Sequence, residues 1–264
     1  MPIPFWHLQT TADAADLAGR DPVIVLPLAA IEQHGPHLPL STDLDIGLGV
    51  LAEACRQLPP DLPLSVLPPQ ACGASREHAR FPGTLSLEPE LTAETIRQLG
   101  GALGDAGIRR LVLFNSHGGN VAALNLAALA LREEHGLLVV KASYFQFERP
   151  SDIALQEEEW RHGLHGGALE TAMMLHLHPD RVRSEEIKTF RSLGHDLHGS
   201  LRRLAPEGEA SFAWLAGDLN EHGVTGDATL ATAEMGATLV RHYGQVLAEV
   251  IGDARAFPLD RLCE

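Results

Sequence analysis

Four apolar runs stand out along the chain, at 23–28, 64–67, 111–114 and 137–142. Each is short, rich in Val, Ile and Leu, and does not alternate with polar residues. That pattern predicts strands of a parallel sheet covered on both faces. Helical periodicity fills the gaps. Leu44, Leu48, Leu51, Cys55 and Leu58 share one helical face, with Ser41, Thr42 and Asp43 as candidate caps and Pro59-Pro60 as the stop. The stretch 88–106 opens with Glu-Pro-Glu and stops at Gly107. Val121, Leu124, Ala128 and Leu131 form another stripe after Asn120, a candidate N-cap. The order β-α-β-α-β-α-β predicts an α/β fold, a three-layer α/β/α sandwich with a mainly parallel central sheet.

The second half is less regular. Residues 143–163 read as a polar loop with some aromatic residues. A helix is expected over 168–177, before Pro179. The stretch 181–226 resists assignment, although 185–203 could hold helix. A long last helix fits 228–250, with Leu230, Ala233, Ala237, Val240 and Leu247 inward. No repeat or low-complexity linker divides the chain, so one domain over 1–264 is the simpler reading.

Charge and composition remove several function classes. The net charge of −15 is spread along the chain and argues against nucleic acid and anionic membrane surfaces. No segment approaches the roughly 18 apolar residues of a membrane span, and the N-terminus lacks signal-peptide features. A soluble cytoplasmic protein is expected. Cys55, Cys72 and Cys263 are far apart without a CxxC, which argues against a disulfide framework or a thiolate zinc site. The 14 histidines direct attention to metal ligation and acid/base chemistry, so their positions must decide.

Three clusters carry candidate chemistry. Glu32-Gln33-His34-Gly35-Pro36-His37, followed by Asp43, lies just past the first strand, where open α/β sheets place their sites. Carboxylate, imidazole and carboxylate suit Zn²⁺, Mn²⁺ or Fe²⁺, and an aspartate can bridge two ions. Asn115-Ser116-His117-Gly118-Gly119-Asn120 follows the third strand, so His117 falls on the same sheet edge. This loop could also be a tight turn or an anion cradle at a helix N-terminus. In His162-Gly163-Leu164-His165-Gly166-Gly167-Ala168-Leu169-Glu170-Thr171, Glu170 opens a strongly apolar helix. Glu170 could merely answer the helix macrodipole, but a carboxylate in a buried helix start needs a partner, and a metal or a histidine bound to one would serve. HExxH, GxSxG and P-loop motifs are absent.

These motifs resemble the creatininase family of amidohydrolases. Two further segments match it: Ser75-Arg76-Glu77-His78 through Phe81-Pro82-Gly83-Thr84, and Gly223-Val224-Thr225-Gly226-Asp227. The resemblance implies hydrolysis of a non-peptide C–N amide bond of a small or cyclic amide by a metal-activated water. It implies two divalent ions per subunit and a homo-oligomer, often a hexamer. Glu32, Asp43 and His117 would hold one ion. His34 and Asp43 would hold the other, with Glu170 as ligand or orienting group, and His165 as the acid/base. The chain departs from creatininase itself at Gly119, where that enzyme carries a glutamate expected at the second ion. It departs again at Arg161 and His162, where creatininase has a Trp-Asp pair; here Trp160 stands one step earlier. The His-Gly-Gly-Asn form looks more like members that act on formamides of pyrimidine nucleotides or mature the mycofactocin precursor peptide. The alternatives are therefore a peptidase on a modified peptide, a non-catalytic anion- or nucleotide-binding module, and a dead family member kept for assembly.

Overall fold

The computed structural model of the chain describes residues 2–263. One parallel sheet is built from β1 (Val23–Leu28), β2 (Leu64–Val66), β3 (Arg110–Asn115) and β4 (Leu138–Ser143), ordered β2-β1-β3-β4. Every residue of β1 and β3 is buried. Val23 and Val25 enter one apolar cluster, while Ile24, Leu26 and Leu28 enter a second on the opposite face. Both faces are apolar, which is why these runs show no alternation.

Nine helices surround the sheet among the described residues: α1 (Thr11–Ala18), α2 (Thr42–Gln57), α3 (Pro89–Asp105), α4 (Val121–His135), α5 (Glu157–His162), α6 (Ala168–Leu177), α7 (Leu193–Leu197), α8 (Ala216–Leu219) and α9 (Ala233–Ala256). Helices α2, α6 and α9 pack together on one face, and α3 with α4 covers the other. A Cβ on Gly236 would lie 1.9 Å from the Ala172 carbonyl oxygen, so this glycine lets α9 and α6 touch backbone to backbone. The result is the expected three-layer α/β/α sandwich. The chain leaves β1 toward β2 on one side and returns through β3 on the other. The sheet therefore changes direction between β1 and β3, and a crevice opens beyond their carboxyl ends.

Several local expectations are corrected. Helix α1 was not visible in the pattern, because Leu17 is its only buried residue; the Thr10–Asp13 capping box sets its start. Within 143–163, Glu157–His162 is helical, with Glu159 and His162 buried. Within 185–203, α-helix is confined to Leu193–Leu197, with a 3-10 turn over Ser184–Glu186. The last helix begins at Ala233, after Thr232 accepts the Met235 N–H, and runs on to Ala256. Leu230 is not inward but 43% exposed, in the turn before that helix. Asn120 precedes α4, but its side chain does not cap it. Among the described residues, no helix is long and apolar enough to cross a membrane.

Candidate metal centre

The crevice gathers the sequence-predicted residues. Glu32 and His34 follow β1, His117 follows β3, and Asp43 lies in the first turn of α2. His165 precedes α6, and Glu170 sits in that helix's first turn. Glu32, His34, Asp43 and His117 are all buried. The loop after β3 is held by its asparagines. Asn115 accepts from the His117 N–H and donates to the His117 carbonyl, and Asn120 bonds Ala74 N–H and Ala29 O.

Backbone carbonyls decide the tautomer of each imidazole, because a carbonyl can only accept. His34 Nδ1–H donates to Glu32 O at 3.1 Å, His117 Nε2–H to Ala74 O at 2.9 Å, and His165 Nε2–H to Gln33 O at 2.7 Å. The other nitrogen of each ring then offers a lone pair when neutral, and each lone pair faces carboxylates. His34 Nε2 lies 3.2 Å from Asp43 Oδ1 and 3.7 Å from Glu170 Oε2. His117 Nδ1 lies 3.2 Å from Glu32 Oε1 and 3.3 Å from Asp43 Oδ2. His165 Nδ1 lies 3.6 Å from Glu32 Oε1. A lone pair facing a carboxylate oxygen repels it, so each of these contacts needs a proton or a metal cation between the two atoms. Both Glu32 oxygens, Asp43 Oδ2 and His34 Nε2 are buried without a hydrogen-bond partner.

Among the described residues, four overlapping groups have ligand atoms close enough to hold an ion: Glu32–Asp43–His117, His34–Asp43–Glu170, Glu32–His34–His165 and Glu32–Glu77–His78; the first two pair Asp43 with the motif residues. Asp43 belongs to both, one oxygen turned to each. Glu170 Oε2 also accepts the Gly166 N–H at 2.6 Å, which fixes the carboxylate against the α6 start.

The electrostatics express the same demand for positive charge. Burial works to raise the Glu32 carboxyl, yet His117, His78 and His165 hold it well below the usual carboxylate range. Burial works to lower His34, but Asp43, Glu170 and Glu32 carry it up to about 9. His117 is likewise raised well above its ordinary value by Glu32 and Asp43, against burial. His165 is lowered, by burial and by the neighbouring His34.

Gly119 has a structural reason. A Cβ there would lie 2.2 Å from Ala74 O and 2.5 Å from Glu77 Oε1. Protein atoms fill that space, so a side chain at this position has no room. The Glu77 carboxylate stands there instead, 3.4 Å from His117 Nε2, and burial raises it. His78, whose role was open from sequence, also enters the site. It is buried, lies 3.6 Å from Glu32 Oε1 and stacks on His165 at 4.1 Å between ring centroids. His37 is instead a clamp, bonding Gly166 O and Thr171 Oγ1 beside α6. Trp160 is partly buried, packs against the main apolar cluster and carries Arg149 over its ring at 4.8 Å.

Paired carboxylate–histidine groups at the switch point of a parallel α/β sheet make up a candidate metal site. The chain matches the family described as Creatininase, creatinine amidohydrolase, over residues 7–251, and it belongs to that family. It is 36% identical over 233 residues to a mycofactocin precursor peptide peptidase of Mycobacterium tuberculosis, covering 86% of this chain and 83% of that protein. It is 31% identical over 190 residues to a creatinine amidohydrolase of Pseudomonas putida, covering 66% and 71% of the two chains. A solved structure described as creatininase Mn superposes with a TM-score of 0.76 at 27% identity, covering 95% of this chain and 98% of that one. The family expectation from the motifs is met, as is the fold.

Proposed function

We propose that this chain is a binuclear metal-dependent hydrolase that cuts an amide C–N bond within a peptide. The observation that carries the metal is the set of buried histidine lone pairs aimed at unpartnered carboxylate oxygens. Glu32, Asp43 and His117 would hold one ion, and His34, Asp43 and Glu170 the other, so Asp43 would serve both. Bound divalent ions of this kind supply Lewis acidity and a water acidified toward neutral pH. Mixed nitrogen and oxygen ligands suit zinc, manganese or iron.

His165 moves the proton. Its Nε2–H is fixed on Gln33 O, so Nδ1 is the atom that accepts a proton and returns it to the leaving nitrogen. The preference for a peptide rests on the similarity to mycofactocin precursor peptide peptidases. A small cyclic amide, expected from the motifs, is the second reading; the similarity to a creatinine amidohydrolase favours it. One domain over 1–264 forms the unit. A homo-oligomer, a hexamer by resemblance, and a cytoplasmic location belong to the same proposal; exposed Leu126 and Leu129 on α4 offer apolar surface for contact between copies. Metal-reconstituted protein should cleave a precursor-type peptide and leave creatinine unchanged, as read by mass spectrometry of both reactions. Turnover of creatinine with an intact peptide would reverse the substrate assignment.

A further inference from the structure

Four separate sequence segments meet at Gln33, which is buried and has every polar group engaged. Its backbone N–H donates to Thr84 Oγ1 at 3.1 Å, and its carbonyl accepts His165 Nε2–H at 2.7 Å. Its side-chain Oε1 accepts the Gly35 N–H at 3.0 Å, and Nε2 donates to Gly223 O at 2.6 Å. These two backbone partners settle which end of the amide is oxygen and which is nitrogen. The nitrogen also lies 2.7 Å from His78 Nδ1. An amide nitrogen only donates, so His78 Nδ1 accepts, and the proton of a neutral His78 sits on Nε2. That N–H points to Glu32 Oε1 at 3.6 Å. Gly223 makes room: its φ is +75°, and a Cβ there would lie 2.7 Å from Gln33 Nε2.

The consequence concerns two stacked rings. His78 and His165 each lie 3.6 Å from the same Glu32 oxygen, yet they present opposite chemistry to it. His78 presents an N–H, and His165 a bare nitrogen. Both settings are made by Gln33, one through its side chain and one through its carbonyl. Glu32, Glu77 and His78 have ligand atoms close enough to suggest a further metal group. The Nε2 proton argues against it, because a protonated nitrogen has no lone pair for an ion.

We propose that Gln33 is a positioning residue that fixes the tautomers of His78 and His165. It keeps His78 as a hydrogen-bond donor beside the metal ligands, not one of them, and frees His165 Nδ1 for proton transfer. This rests on the hydrolase reading above for its purpose, but the wiring can be read without turnover.

The test uses full-length, zinc-loaded protein labelled with ¹⁵N-histidine. Long-range ¹H–¹⁵N correlation reports which ring nitrogen carries the proton, and His78→Gln identifies the His78 signals by their loss. Wild type should show His78 protonated at Nε2 with Nδ1 bare. Gln33→Glu should move the His78 proton to Nδ1, because a carboxylate only accepts. Zinc affinity should stay within a few-fold of wild type in both His78→Gln and Gln33→Glu. The kcat should fall about 10–100-fold in Gln33→Glu, the scale of lost outer-sphere partners at metal sites. Protonation of His78 at Nδ1 in wild type would overturn the proposal. So would a collapse of zinc affinity in His78→Gln, which would make His78 a ligand. A wild-type protein with the expected tautomers that cleaves no amide would count against the hydrolase reading and leave the wiring standing.

Discussion

The two halves of the centre are built differently. Glu32, Asp43 and His117 come from the ends of β1 and β3 and from the adjoining start of α2, and all three are buried. His34 shares that origin, but its partner Glu170 comes from α6, more than 120 residues later, with a side chain 16% exposed. The first triad is anchored by strands locked in register over their full length. The second depends on how the Gly166–Glu170 turn docks. A rigid edge and a docked helix should hold ions with unequal strength, the edge more tightly. That difference also answers what the glycine at 119 leaves open: the third side chain of the second group is Glu170, while Glu77 fills the space beside Gly119.

The largest effect should come from the residue common to both halves. Asp43→Ala should release both ions and abolish hydrolysis, as read by metal content and activity on one preparation. His117→Ala should be nearly as severe, since it removes a ligand of the anchored ion. Glu170→Gln keeps the shape but removes the charge. It should lower affinity for one ion about 10–100-fold while leaving the other, and calorimetric titration would show the two classes separating. Equal loss of both ions in this variant would erase the proposed asymmetry.

Acidity gives a smaller and smoother effect. In metal-free protein His34 is raised to about 9, from about 6.5 in the unfolded chain. A raised histidine contributes stability that is present below the unfolded value and lost as pH rises through the folded one. Metal-free protein should therefore lose thermal stability between about pH 6.5 and 9, and metal affinity should rise over the same window as the proton leaves. Metal-loaded protein should show no such decline. The smallest change tests the Gly119 contact. Gly119→Ala presses a methyl toward the Ala74 carbonyl and should cost about 1–3 kcal/mol of stability, measured by denaturant unfolding.

Much of this was legible in the chain. The strands are continuous apolar runs because both sheet faces are covered, and the proposed ligands Glu32, His34 and His117 stand after β1 and β3, where a reader of α/β sheets looks first. Other parts left no such trace. Helix α1 buries only Leu17 and so carries no stripe. Helix α5 begins with three glutamates and looks like solvated loop, although Glu159 is buried and accepts the Ala168 and Asp227 N–H groups. Gln33 sat between two conspicuous ligands, yet its importance lies in bonds to Thr84, His78 and Gly223, which only the folded chain brings together. Gly119 looked like a missing ligand because a sequence cannot show that Glu77 occupies its place.

The central claim is a pair of ions bridged by Asp43. Metal content per subunit, measured by inductively coupled plasma mass spectrometry after reconstitution and desalting, tests it most directly. The account predicts two ions in wild type, one in Glu170→Ala and none in Asp43→Ala. Retention of both ions in Asp43→Ala, or a single ion in saturated wild type, would contradict it.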